Sequence, residues 1–363
     1  MANLVDYLAW RGDLTLHQSP WCDVDSLAMA CLSYVNLQEA AEEPVELRAM
    51  QEPEKFDDQL INRFFARCRA LFDDMASSRR FGSMVLHDYV DIIDEAGVMQ
   101  FSAVTADLPD GTCFIAFRGT DSTLVGWRED FRMAYESPVP AQTEAVRYLI
   151  RIAQAAGGYL RLSGHSKGGN LAVYAAAHVP EDVQRRILSV CSFDGPGLDD
   201  DTIAGEGYAR IRPLITSVIP QSSVVGLLLG YHPEYSVVRS NTLGLLQHDA
   251  FTWEVLGAHF VEMEEVDAGS RLLAETLHEW LQECTPEERK RLVDAVFDVL
   301  ASSNAKSFSE MSEEKLRSMS AILTASIGMD PKKVFLFLRL MHSFLRIGAG
   351  NVIERLTEPD TLE

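Results

Sequence analysis

The sequence predicts an α/β protein: a mostly parallel sheet flanked by helices, with helical additions at its N- and C-terminal ends. Three observations predict it. Between residues 79 and 260, short apolar runs alternate with helical stretches, the pattern of parallel strands covered on both faces. The segments on either side of that zone read as helices and loops. The chain has 363 residues, 47% hydrophobic and 24% charged, which is ordinary globular usage and enough for one large domain with attachments.

The zones are therefore 1–78, an N-terminal helical extension; 79–260, the α/β core; and 261–363, a C-terminal helical region. In the first, Asp23-Val24-Asp25-Ser26 opens an apolar stretch through Tyr34, and 39–54 is an acidic connection interrupted by proline. From 57 to 75, Leu60, Ile61, Phe64, Phe65, Cys68, Leu71, Phe72 and Met75 recur at helical spacing. In the core, 98–106 and 112–117 flank Pro109-Asp110-Gly111 and read as a hairpin. A helix is expected over 142–156, ending at Gly157-Gly158. A short strand over 159–163 leads into a small-residue helix, 168–178, which Pro180 stops. Further strands are expected at 187–193, 215–219 and 235–238. In the last zone, Thr285-Pro286-Glu287-Glu288 is a helix start, with Leu292, Val293, Val296, Phe297 and Leu300 on one face. Ser312-Glu313-Glu314 and Asp330-Pro331 start two more helices.

Lys and Arg total 32 against 54 Asp and Glu, a formal net charge of −22. Such a field repels phosphate backbones and anionic lipid, so nucleic acid is not an expected partner. The N-terminus lacks a basic stretch followed by an apolar one, so no secretory signal is expected. No apolar run approaches the roughly 20 residues that span a bilayer. The nearest, 334–347, carries Arg339, His342 and Arg346 and reads as a buried helix. Cys22, Cys31, Cys68, Cys113, Cys191 and Cys284 show no CxxC spacing and read as free thiols of a cytoplasmic protein. The histidines lack metal-ligand spacing and no dinucleotide fingerprint is present, so neither metal nor cofactor is expected. Oligomeric state is not legible.

Chemistry concentrates in Gly164-His165-Ser166-Lys167-Gly168, which follows a predicted strand and precedes a predicted helix. A serine on so sharp a turn is strained, and Gly164 and Gly168 leave room for the close backbone approach. The strain lifts the Ser166 hydroxyl clear of the sheet edge, beside a helix N-terminus whose amides can stabilise an oxyanion. This is a nucleophile elbow of the α/β-hydrolase type. A phosphate loop would want more glycines and a Lys-Ser/Thr ending.

A second segment, Phe114-Ile115-Ala116-Phe117-Arg118-Gly119-Thr120-Asp121 followed by Gly126-Trp127-Arg128-Glu129-Asp130-Phe131, resembles the oxyanion segment of the class 3 lipases. The resemblance implies that the amide of Thr120 and that of Lys167, the residue after the nucleophile, hold the oxyanion. Lys167 departs from the leucine usual in that family, and its side chain is expected to remain in solvent. Further stretches are similar to a bacterial branch of the superfamily known as a domain of unknown function. These are Asp6-Tyr7-Leu8 with Trp10-Arg11-Gly12-Asp13, Phe193-Asp194-Gly195-Pro196-Gly197, Ile219-Pro220-Gln221-Ser222-Ser223 and Gln247-His248-Asp249-Ala250-Phe251. The likeness covers about residues 1–260 and leaves the substrate open.

An α/β-hydrolase takes its base from a histidine downstream of the serine. The candidates are His178, His232, His248 and His259; His248, in the loop beyond the last predicted strand, is favoured. The resemblance places the acid after Ile219, where no carboxylate stands. Asp194 ends the neighbouring strand and keeps the chain order Ser, Asp, His, so it is the preferred acid; Asp249, or a dyad without acid, is the alternative. Asp121 and Asp130 are expected to cap the next helix, Trp127 to pack, and His165 to be structural. The run 224–229 either lines an acyl pocket or packs in the core. The expected activity is a serine hydrolase acting on a small-molecule carboxylic ester. A thioesterase or amidase with the same site, or a disabled hydrolase-like scaffold, is the alternative.

Overall fold

The computed structural model describes residues 1–50, 63–121, 123–229, 234–302, 330–332 and 334–335. The first zone holds α1 (Leu4–Arg11), α2 (Asp23–Leu32), the one-turn α3 (Glu39–Glu42), a two-residue strand β1 (Val45–Glu46) and α4 (Arg63–Ser77). Three antiparallel strands follow: β2 (Val85–Asp94), β3 (Met99–Asp107) and β4 (Cys113–Phe117). The hairpin expected around Pro109-Asp110-Gly111 is β3–β4, with Gly111 at φ +82° where the turn needs a residue without a side chain.

Beyond it, α5 (Leu124–Arg132) and α6 (Pro140–Ala155) lead to β5 (Leu160–His165) and α7 (Lys167–His178). Then come α8 (Glu181–Gln184), β6 (Ile187–Phe193), α9 (Asp200–Ala204), α10 (Glu206–Ile211), β7 (Ile215–Pro220) and β8 (Ser236–Val238). Short strands β9 (Val255–Leu256), β10 (His259–Phe260) and β11 (Glu262–Met263) precede α11 (Ala268–Glu283) and α12 (Pro286–Ser302). The expected helix start at Ser312 and the expected helix over 334–347, apart from its first two residues, lie outside the described residues.

Among the described residues nine strands form one mixed sheet in the order β1-β2-β3-β4-β5-β6-β7-β8-β11, parallel from β4 through β8 and antiparallel at both edges. Its edge strands β1 and β11 come from either side of the 79–260 segment. Alternation along β4 explains the layering. Phe114 and Ala116 point into a core shared with α1, α2 and α4, while Cys113, Ile115 and Phe117 point into one shared with α6, α7 and α10. Every residue of β4 is buried, as a strand covered on both faces requires. A third cluster joins Leu277, Trp280, Leu292, Val293 and Phe297 of α11 and α12 to Leu124, Trp127 and Phe131 of α5. None of the six cysteines is in a disulfide. Among the described residues no helix is long and apolar enough to cross a membrane.

The N-terminal helices are locked to the core by a buried ion pair. Arg80 and Asp25 are fully buried, with Arg80 Nε 2.6 Å from Asp25 Oδ1, and Tyr7 donates to the same carboxylate at 2.6 Å. Arg80 also donates to the carbonyls of Ser19 and Pro20 at 2.9 and 3.1 Å. Arg80→Met is expected to destabilise the fold by about 3–5 kcal/mol, because it strands a buried carboxylate without its cation. Urea unfolding monitored by tryptophan fluorescence measures the loss. A change below about 1 kcal/mol would show that the pair is not what holds this layer.

Candidate active site

β5, β6 and β7 run parallel, so their C-terminal ends lie side by side, where parallel sheets present ligands. Ser166 follows β5 at φ +58°, ψ −134°, a conformation few side chains tolerate, and its amide donates to Phe193 O of β6 at 2.9 Å. The turn closes only because its neighbours are bare. A Cβ on Gly164 would stand 2.1 Å from the Gly168 carbonyl carbon, and one on Gly168 would stand 2.1 Å from Phe117 O. Serine is thereby set at the head of α7, whose first amides have no partners inside the helix.

Asp194 ends β6, also left-handed at φ +48°, its amide donating to Val218 O of β7 at 2.8 Å. Its carboxylate is fully buried, and both oxygens are engaged. Oδ1 accepts from Ser223 Oγ at 2.5 Å and from the Gly226 amide at 3.0 Å, and Oδ2 stands 2.6 Å from His248 Nδ1. His248 Nε2 in turn lies 3.1 Å from Ser166 Oγ. With the imidazole proton on Nδ1, shared with the carboxylate, the lone pair of Nε2 faces the serine hydroxyl. The histidine side chain is 30% exposed, so this end of the chain opens to solvent.

The His248 loop is held from behind. His165 Nε2 donates to the His248 carbonyl at 2.8 Å, and Tyr34 donates to His165 Nδ1 at 3.2 Å. That pattern requires a neutral His165, and burial, helped by the adjacent His248 ring, lowers its pKa to about 3. Trp253 Nε1 donates to Gln247 O at 2.7 Å, and Arg67 pairs with Asp249 at 2.8 Å. The Tyr34 hydroxyl also explains Gly119, where a Cβ would come within 2.0 Å of it.

Of the expected site residues, Ser166, His248 and Asp194 are thus brought into one hydrogen-bonded chain. Asp249 is not; it pairs with Arg67 and accepts from the Phe251 amide. His178 is turned to its own helix, donating to Tyr174 O at 2.9 Å. His259 sits in β10, paired with Leu256, and His232 lies outside the described residues. Thr120 is at the end of the β4 segment beside the elbow, its hydroxyl donating to Asp130 Oδ2 at 2.5 Å.

Two expectations need correction. The Lys167 side chain is not in solvent; it is 1% exposed and paired with Glu129 at 3.0 Å. An ammonium taken out of water demands a carboxylate, and α5 carries one inward at that point. Asp130 does not cap α5, since Thr123 does, accepting from the Gly126 amide. Asp121 accepts from the Thr123 amide at the same end. From the run 224–229, Gly226 gives its amide to Asp194, and Leu228 and Leu229 pack on the α5–α11–α12 cluster. Among the described residues no group of three or more His, Cys, Asp or Glu could hold a metal ion.

A family model described as Mbeg1-like matches residues 75–298, more than half of the chain and all of the residues just assembled except Tyr34 and Arg67. The chain belongs to the Mbeg1-like family. No protein of curated function matches it in sequence. Among solved structures, this Mbeg1-like protein is similar to the M37 lipase, at 15% identity and a TM-score of 0.38, over 56% of this chain and 69% of that one. It is similar to the Rhizomucor miehei lipase of a propeptide complex, at 14% identity and a TM-score of 0.38, over 60% and 68%. It is also similar to a triacylglycerol lipase whose catalytic centre is described as a serine protease triad, at 12% identity and a TM-score of 0.35, over 59% and 77%.

The Mbeg1-like chain also uses residues that sequence reasoning missed. Ser223 and Gly226 hold the carboxylate; Glu129 takes the buried ammonium. A signal existed for one of them: Gly226, in an apolar run where any side chain would meet Asp194 Oδ1 at 2.5 Å, marks a close approach.

Proposed function

We propose that the protein is a serine hydrolase of the α/β-hydrolase, lipase-like type, acting on carboxylic esters through an acyl-enzyme. The single observation that carries this reading is the unbroken chain from Asp194 through His248 to Ser166 on a strained elbow. Membership in a lipase-like family supports it.

The chemistry follows from the geometry. His248 Nε2 takes the hydroxyl proton as Ser166 Oγ bonds to the acyl carbon, and Asp194 stabilises the imidazolium that results. The amides of Thr120 and Lys167 take the charge that develops on the carbonyl oxygen. Collapse expels the alcohol, which receives the proton from His248. Water, deprotonated by the same nitrogen, then releases the acid and restores Ser166. An intact chain of this kind favours catalysis over the scaffold alternative.

A fluorophosphonate probe tests the reading without knowledge of the substrate. The wild-type protein is expected to label with one probe per chain, and peptide mapping should place the adduct on Ser166. An unlabelled protein, or an adduct on another serine, overturns the assignment. Matched ester, thioester and amide substrates then separate the three leaving groups that share this intermediate.

A further inference from the structure

Lys167 offers its amide beside Ser166 and buries its ammonium beneath the oxyanion segment. Nζ donates to Gln100 O at 2.9 Å and to Glu129 Oε2 at 3.0 Å, and stands 3.7 Å from Asp130 Oδ1. Glu129 is fully buried, with both of its oxygens engaged. Its Oε2 also accepts from the Gln100 amide at 3.0 Å and its Oε1 from the Ala141 amide at 2.8 Å. Asp130 is different: Oδ2 takes the Thr120 hydroxyl, while the sealed Oδ1 has no hydrogen-bond partner. The ammonium is therefore the cation that faces it, and one side chain links the amide after the nucleophile to the carboxylate behind Thr120.

We propose that Lys167 is a positioning residue for the oxyanion pocket: its buried ammonium keeps Asp130 a carboxylate, and Asp130 then fixes Thr120. This inference rests on the hydrolase reading above. An ionised Asp130 only accepts, so the one hydroxyl proton of Thr120 is committed to it and Thr120 is held in place with its amide presented. A protonated Asp130 can donate instead, and that restraint is lost.

The groups that face Asp130 set the sign. Burial pushes its carboxyl up to about 6, although a quarter of its side chain is accessible at the outer edge. Lys167 from α7 and the Thr120 hydroxyl pull it down, while Glu129 on its own helix and Asp121 before that helix push it up. Tyr34, in the turn after α2, interacts with it and stays neutral, its phenol raised well above the ordinary value by burial. Gln100 on β3 is uncharged, and Asp294 of α12 is engaged by Arg128 and Lys290. Removing the ammonium removes the largest downward pull. The Asp130 carboxyl then rises, and the acid limb of reactivity moves to higher pH.

The test is a cycle of Lys167→Met, Asp130→Asn and the double variant, read as the second-order rate of fluorophosphonate labelling against pH. Lys167→Met is expected to lower the rate at pH 7 by about 10- to 100-fold and to move the acid limb up by about one pH unit. In the Asp130→Asn background the same substitution should move the limb no further. Asp130→Asn keeps the Lys167–Glu129 pair, so it remains informative if Lys167→Met does not fold: it should itself slow labelling at pH 7. A limb that Lys167→Met leaves in place, an equal shift in the Asp130→Asn background, or an Asp130→Asn protein at the wild-type rate overturns the proposal. A wild-type protein that does not label at all overturns the hydrolase reading instead.

Discussion

Ser166→Ala and His248→Ala are each expected to lower kcat for ester hydrolysis on the order of 10⁶-fold, and the double variant no further. In the proposed mechanism the serine supplies the bond and the histidine the proton acceptor, so neither contributes without the other. The 3.1 Å contact between Oγ and Nε2 is the structural basis of that coupling. The fold should persist, since Ser166 is only partly buried and His248 is 30% exposed. Thermal unfolding checks this. His178→Ala and His259→Ala are the controls, expected within about threefold of wild type, since the His178 ring bonds its own helix and His259 stands in β10, outside the Asp194–His248–Ser166 chain. Losses that multiply in the double variant, or a His259→Ala protein as impaired as His248→Ala, would point to chemistry other than a serine–histidine pair.

The elbow was legible because its signal is local: five consecutive residues between an apolar strand and a small-residue helix. β4 was legible for a similar reason, being apolar at every position. Asp194 and His248 needed chain order and strand-end logic, because they stand 54 positions apart. Neither periodicity nor composition reports contacts made across that distance. β2 escaped detection because Asp88, at φ +54°, introduces a register shift between His87 and Val90 that breaks the alternation. β1 and β11, two residues each, are too short to carry a period. The burial of the Lys167 ammonium was not legible, because its partner, Glu129, stands 38 positions earlier on a helix with a charged outer face. What stayed illegible was the pairing of buried charges, which only the folded geometry brings together.

Asp194→Asn is expected to cost about 10⁴-fold in kcat while leaving KM and the fold nearly unchanged. Asp194 sits where three donors converge: the Ser223 hydroxyl, the Gly226 amide and the His248 ring. An asparagine can keep its oxygen on the first two, which turns its NH₂ toward His248 Nδ1. That nitrogen must then accept, so the ring proton moves to Nε2 and faces Ser166, where no proton can be taken. With the amide turned the other way, its NH₂ would stand against the Gly226 N–H, donor against donor. The retained oxygen contact is therefore the favoured arrangement, and the wrong tautomer is its consequence. Ser223→Ala offers a graded comparison: the carboxylate keeps its charge and the Gly226 amide but loses one restraint, so a loss of about tenfold is expected. Steady-state kinetics on a common chromogenic ester, with thermal unfolding of each variant, reads both substitutions. An Asp194→Asn enzyme at near-wild-type rate would make the site a serine–histidine dyad in which Asp194 serves the turn after β6 and not the imidazole.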